Sequence, residues 1–179
     1  AILTAATAPA LSRYTGVLFD EISSKTLSEE AWDYAGQHIL IHSAIFGPIR
    51  ATDLIPNYRY SPQLSLPDFS AKKHWSGKLT PLLAASAEFF LDLRAKNYLA
   101  LAPLDQAKEQ IFVEIVAEDE HGVTRALNHF NKQTKGIIVA ELLATRPEFD
   151  GPDSVASWLQ EIGFRFNTVS KRHWQVISR

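Results

Sequence analysis

The sequence predicts a mixed α/β fold, a single domain in which helices pack on a mixed sheet. Three observations carry that expectation. The length, 179 residues, suits one domain. Hydrophobic residues make up 46%, aromatics 11% and charged residues 21%, which excludes disordered, collagen-like and coiled-coil chains. Helix-period and strand-like segments follow one another without strict alternation, which points to a mixed sheet rather than repeated parallel units. A chain of this length buries roughly 70% of its extended surface, enough for a core without staples.

Residues 1–26 show no sustained periodicity and read as loop, with a turn at Tyr14-Thr15-Gly16. Thr26 with Glu29 resembles a capping box and Ser28 is a competing cap. Either opens a helix to Gln37 that repeats Ala31, Tyr34, Ala35 and His38 at helical spacing. Ile39-Leu40-Ile41 suits a buried strand, Gly47-Pro48 breaks the chain, and Pro56, Pro62 and Pro67 punctuate a loop-rich stretch. A helix is expected over 70–86, presenting Trp75, Leu79, Leu82 and Leu83 to the core, with Pro81 marking a kink or break.

Phe89 to Leu93 reads as a strand entering a functional loop. Ile111–Glu118 and Val123–Phe130 read as a hairpin around the charged turn 118–122. Asn131–Thr145 is the clearest helix, with Asn131 placed to cap it. A short helix over Pro152–Ile162 accepts its proline early. Phe164–Val169 and His173–Ile177 close the chain as a hairpin.

Charge excludes little. Eighteen basic and twenty acidic side chains give a net −2, divided 7 and 8 over residues 1–90 and 11 and 12 over 91–179. Any anion site is therefore a local patch. The absence of cysteine excludes disulfides, thiolate metal sites and a cysteine nucleophile. No run of about 18 apolar residues exists, so no membrane partner is expected. No basic n-region opens the chain, and with no Met anywhere it reads as trimmed at its N-terminus. No phosphate-binding loop, dinucleotide fingerprint, nucleophile elbow or zincin motif occurs. His38 and His42 are four apart without a carboxylate at ligand spacing. They read as two partly buried histidines rather than a metal pair, and no metal or cofactor is expected.

Three segments carry more deliberate chemistry. Ser43 through Arg59 places Arg50, Asp53, Tyr58 and Arg59 in a loop-rich stretch after a strand, where sites are commonly built. An Arg–Asp bridge pinning the loop is the equally weighted structural reading. Asp92 through Tyr98 ends a strand with Arg94, Lys96 and Tyr98. His129 through Gly136 runs a strand into a helix, with Asn131, Lys132 and Lys135 at its beginning. Exposed lysines in a first turn oppose the helix dipole unless an anion offsets them.

On these residues the chain resembles the YaaA family of peroxide-stress proteins. The matching segments are Arg13-Tyr14-Thr15-Gly16-Val17, Ser43 through Arg59, Lys73 with Trp75, Asp92-Leu93-Arg94 through Tyr98, Phe130-x-Lys132-x-x-Lys135-Gly136, and Gly163-Phe164-Arg165-Phe166. They occur in family order over almost the whole chain. The resemblance implies a cytoplasmic α/β protein that binds duplex DNA with weak sequence preference and limits iron-linked peroxide damage. It implies a basic cleft, in which Arg50, Arg59, Arg94, Lys132 and Lys135 contact nucleic acid. Asp53, Tyr58, Tyr98, His129 and Asn131 are the further cleft candidates.

A helix-hairpin-helix element described for the family is expected in an N-terminal segment, with a Ser-Pro-Ala-Lys stretch, that this chain lacks. Ala44 and Ala51 stand where the family pattern has Gly and Pro. The leading reading is a non-enzymatic DNA-binding stress protein. The alternatives are an enzyme acting on nucleic acid or a nucleotide through the same cleft, and an iron-binding protein.

Overall fold

The computed structural model describes residues 4–64, 67–104, 109–121, 123–126 and 129–178. It has the expected class, a mixed sheet with helices packed against it. Two compact units are described in turn. The first takes in the chain up to Tyr14, Leu27–Glu88, and the stretch from Arg94 that precedes residue 109; the second takes in Thr15–Thr26, Phe89–Leu93 and everything from Glu109 on.

In the first unit, β1 (Thr7–Pro9) pairs antiparallel with β4 (Leu54–Pro56), and β2 (Leu40–Ser43) pairs antiparallel with β3 (Gly47–Arg50). Both are two-stranded, so Pro48 and Pro56 sit where no further ladder needs their missing N–H. The expected break at Gly47-Pro48 is instead the start of a strand. Gly47 supplies the turn with φ +75°, a conformation costly for any other residue. The expected loop before Tyr14 also contains structure, because β1 and α1 (Ala10–Arg13) are held by distant partners. The Ala10 and Leu11 amides donate to the Asp53 and Ala51 carbonyls, and both side chains are buried. Elements of three and four residues have no period for a sequence to display.

Helix α3 (Glu29–His38) is capped by Ser28, whose hydroxyl accepts from the Ala31 amide at 3.2 Å. Thr26 belongs instead to a preceding 3-10 turn, Ser24–Thr26. The long helix expected over 70–86 is two short ones, α4 (Ala71–Trp75) and α5 (Leu79–Ala84). The break falls at Gly77, with φ +78°, whereas Pro81 lies in the first turn of α5, where helices tolerate it. The break also re-aims the second half, so Leu79 and Leu83 are buried while Leu82 is 67% exposed. Helix α6 (Lys96–Leu99) completes the unit.

The second unit contains α2 (Val17–Ile22) and a five-stranded sheet. Strand β6 (Glu109–Glu118) lies at its centre, parallel to β5 (Phe89–Asp92) on one side and to β9 (His173–Ile177) on the other. Strands β7 (Thr124–Ala126) and β8 (Phe166–Ser170) add antiparallel to β6 and β9. Alternation along β6 buries Ile111, Val113 and Ile115 completely on one face. The expected strand over 123–130 ends by Ala126, and residues 127 and 128 lie outside the described chain.

Helix α7 (His129–Thr145) therefore begins two residues before the predicted start, which puts Asn131 inside it rather than at its cap. Helix α8 (Pro152–Glu161) starts on its proline, and the Ser154 hydroxyl accepts from the Gly151 amide at 3.3 Å. Among the described residues, no helix is long and apolar enough to cross a membrane.

Helices α2 and α7 meet at Gly136. A Cβ there would lie 2.4 Å from the Leu18 carbonyl oxygen and 2.9 Å from the Glu21 Cβ. Beside it Gln133 donates to the Glu21 carboxylate at 2.9 Å. A helical Gly→Ala change ordinarily gains about 1 kcal/mol from propensity. Here the obstacle is backbone, which cannot rotate away, and overpacking of this kind costs about 1–3 kcal/mol or more. Gly136→Ala should therefore lower the denaturant midpoint. A variant more stable than the parent would show that α2 does not press on α7 in this way.

Candidate functional site

The strongest convergence of polar side chains lies in the first unit, at the end of β2. Ser43 is 1% exposed, and its Oγ accepts the Ile45 and Phe46 amides at 3.1 and 3.0 Å. The same Oγ is 2.6 Å from the Tyr58 hydroxyl, which in turn bonds the Tyr14 hydroxyl. Two amides fill the acceptor positions of a serine oxygen, so its proton points towards the two phenols, Tyr58 and Tyr14. Tyr58 also meets Tyr14 and Phe46 edge to face, with centroids 6.0 and 5.3 Å apart.

On the neighbouring position of β2, His42 accepts at Nδ1 from the Arg94 Nη1 at 3.0 Å, and Arg94 Nη1 also donates to the Ala102 carbonyl at 2.9 Å. A guanidinium can only donate, so Nδ1 must be the bare nitrogen and the His42 proton sits on Nε2. The Tyr98 ring packs 5.9 Å from His42. Burial pushes the Tyr14 phenol well above its ordinary value; the Ser43 hydrogen bond opposes this, and the adjoining Tyr58 and Tyr98 add to it. Burial likewise raises Tyr98, with Tyr58 contributing. Both phenols are hydrogen-bond donors at neutral pH rather than bases.

The cations nominated by the sequence divide sharply. Arg50 is half-buried and donates to the Gln37 carbonyl in the last turn of α3. The Asp53 carboxylate accepts the Arg50 backbone amide at 2.8 Å, so it pins the turn through the main chain rather than through the guanidinium. Arg59 is exposed. In the second unit Lys132 is exposed, but Lys135 is only 4% exposed and lies 5.4 Å over the Phe112 ring. The expectation of two exposed first-turn lysines is corrected. The earlier helix start moves Lys135 to the second turn, on the side that faces the sheet. Asn131 is half-buried, and the His129 side chain lies outside what is described.

A basic surface that the sequence reading passed over flanks the hydroxyl cluster. Lys72, Lys73 and His74 on α4, and Lys78 after it, are all exposed. Ser70, Lys72, Lys73 and Ser76 line an open depression of about 440 Å³. Helix α4 is fixed by Trp75, whose Nε1 donates to the Ala44 carbonyl at 2.9 Å. Ala44, Ala71 and Leu101 form the small core beneath, against which Tyr60, Phe69, Trp75 and Tyr98 pack. The signal was present in the sequence as Lys72-Lys73-His74-Trp75. Ser43, Tyr14 and His42 were likewise visible as residue types, but only their contacts reveal the network.

The two histidines considered as a metal pair have other employment. His38 stacks on Tyr34 at 4.3 Å, and His42 receives Arg94. Among the described residues, no three His, Asp or Glu side chains converge to hold a metal. The charged turn is solvated, with the Asp119 carboxylate accepting the His121 and Val123 amides at 2.9 Å each.

Ser43→Ala leaves two amides and the Tyr58 hydroxyl without their shared partner, and should cost about 2–3 kcal/mol. Tyr58→Phe removes one hydroxyl and should cost about 1 kcal/mol. Equal costs in denaturant unfolding would mean that Ser43 is not the hub. The raised phenols also fix a sign. Unfolded tyrosines ionise near pH 10, so the stabilisation held by Tyr14 and Tyr98 is complete below that pH and is lost as pH rises towards their folded values. Stability should fall above about pH 10, and Tyr14→Phe should flatten the decline.

Comparison with known proteins bears out the family resemblance. The profile of the family described as Peroxide stress protein YaaA matches residues 1–169. A UPF0246 protein of Streptomyces coelicolor is 36% identical over 168 residues, 91% of this chain and 64% of that protein. One from Corynebacterium glutamicum is 33% identical over 91% of this chain and 66% of its own length. One from Lactobacillus delbrueckii is 27% identical over 76% of this chain and 58% of its own. The chain thus spans somewhat less than two thirds of the length of these relatives. It belongs to the peroxide stress protein YaaA family.

Proposed function

We infer that the chain binds duplex DNA through its phosphates, with weak sequence preference, as a cytoplasmic protein of the peroxide stress response that limits iron-linked damage. The observation that carries this reading is the charge of the segment 57–78. It holds Arg59, Lys72, Lys73 and Lys78 against a single acid, Asp68, within a chain of net charge −2. All four cations are exposed. Tyr60, Phe69 and Trp75 interleave with them, half-buried against the same small core.

A rigid, aromatic-backed basic surface suits a polyanion whose charges repeat along a line. Lysines act there as point charges on phosphates, which supply affinity and register but little sequence information. Arg59 and Lys132 are the exposed members of the cation set nominated by the sequence, and both remain in the proposal. Arg50, Arg94 and Lys135 would serve it indirectly, through the turns and packing they hold.

The enzymatic alternative needs a group that takes a proton. Protonated phenols such as Tyr14 and Tyr98 favour binding over base catalysis.

The test is a salt titration of duplex binding for the parent and for the triple variant Lys72→Gln, Lys73→Gln, Lys78→Gln. Loss of three phosphate contacts should lower the slope of log affinity against log salt by about 3, alike for unrelated duplexes. An unchanged slope, or no duplex binding by the parent, would overturn the reading.

A further inference from the structure

One end of the sheet in the second unit holds a cavity that the duplex-binding reading does not use. It measures about 300 Å³, at the lower end of small-molecule sites. Glu118 at the end of β6, Gln160 in the last turn of α8, and Arg165 and Asn167 about the start of β8 line it. Phe164 and Ile177, 2% and 7% exposed, form its apolar base.

Strand register explains why these side chains meet. Val116 lies beside Ile177, and Asn167 lies opposite Gln175. Side chains alternate between the faces of a sheet, so Glu118, Arg165, Asn167 and Ile177 stand on one face. The Ile177 amide donates to the Arg165 carbonyl at 2.9 Å, which carries the register to the residue before β8. Strands β6 and β8 flank β9, and Arg165 Nη2 reaches Glu118 Oε2 at 2.6 Å over its end.

An ion pair whose arginine is 72% exposed contributes little to stability. Its free valences are better suited to recognition. Among the described residues the Arg165 guanidinium makes no other bond, so Nε and Nη1 keep their donors, and Glu118 Oε1 keeps its acceptor positions. The Gln160 and Asn167 amides are exposed, make no bond among the described residues, and can each donate or accept.

The charges of the lining cancel, which decides the ligand class. A charged ligand would break the pair and leave one member unmatched. A neutral ligand with donors beside acceptors extends the pair instead, and the apolar base favours a flat ring. Guanine sets the N1–H and N2–H donors beside the O6 and N7 acceptors, and arginine is its commonest specific partner. We propose that this cavity is a binding site for a guanine base. Glu118 accepts from the N1–H and N2–H edge, Arg165 donates to O6, and Gln160 and Asn167 complete the polar rim.

Calorimetric titration of the full chain with guanosine and adenosine tests the site. Guanosine should bind, and adenosine, which offers an acceptor at N1 where guanine has a donor, should bind at least about tenfold more weakly. Glu118→Gln should weaken guanosine binding at least about tenfold, the effect of losing a hydrogen bond to a charged group. Asn167→Ala should weaken it about threefold or more. That variant removes only an exposed side chain, so it decides the matter if Glu118→Gln does not fold.

A single-stranded thymidine oligomer with one central guanosine, set against an all-thymidine oligomer, identifies the source of the base. Competition by the first alone would place the guanine within a strand, and competition by neither would identify a free nucleoside. Equal competition by both would overturn a base-specific site. So would absence of guanosine binding by the parent, equal affinity for adenosine, or unchanged affinity in either variant.

Discussion

The hydroxyl of Ser43 is the contact on which the organisation of the first unit depends. One buried oxygen accepts two successive amides and so turns the chain at the end of β2. The same oxygen fixes Tyr58, and through it Tyr14, two residues from segments 44 positions apart. Its neighbours extend the effect. His42 receives Arg94, and the Ala44 carbonyl receives the Trp75 indole that fixes α4. Three consecutive residues, the last two of β2 and the first of the turn after it, thus hold the phenol cluster, the guanidinium and the basic helix. Few local elements in this unit could persist alone, since helices of four to six residues are too short to be stable without tertiary contacts.

That dependence explains which parts of the fold were legible. Helix α7 was readable from its length of 17 residues, though its start was placed two residues late, and helix α8 opens on Pro152 and carries its own start signal. Strand β6, with 10 residues, alternates as far as Ile115, after which Val116 is buried as well. These were readable because their determinants are local. Strand β1, helix α1, strand β3 and strand β4 were not, because distant carbonyls and buried neighbours define them. The split of 70–86 into two helices turned on one positive-φ glycine, while the more conspicuous Pro81 fell where a helix accepts it. The Lys135-Gly136 pair shows the same limit. Its spacing suggested an exposed anion-binding turn, yet Gly136 is where α2 presses on the helix and Lys135 lies over Phe112.

The chemistry was legible as residue types and not as roles. Arg50 and Asp53 were read as one pair, with pinning of the loop as a full alternative to function. The pin exists, but it runs through the Arg50 amide. Tyr58 and Tyr98 were nominated, whereas Tyr14 and Ser43 stood in matching segments without being chosen and His42 was weighed only with His38, as a metal pair. A serine or a histidine declares nothing until its partners are known. The lysines of α4 were legible as a run, and Lys73 stood beside Trp75 among the matching segments, but no role was read from them. The break at Gly77 and the anchor at Trp75 give them a fixed surface instead.

The central claim is that Ser43, Tyr58 and Tyr14 form one continuous hydroxyl network. Proton NMR at low temperature tests it most directly, because hydroxyl protons held in short buried bonds exchange slowly and resonate downfield of ordinary hydroxyls. The account predicts protected downfield hydroxyl resonances in the parent chain, at least one of which disappears in both Ser43→Ala and Tyr58→Phe while the folded amide spectrum is retained. A parent spectrum without such a resonance, or resonances that survive both substitutions, would contradict it.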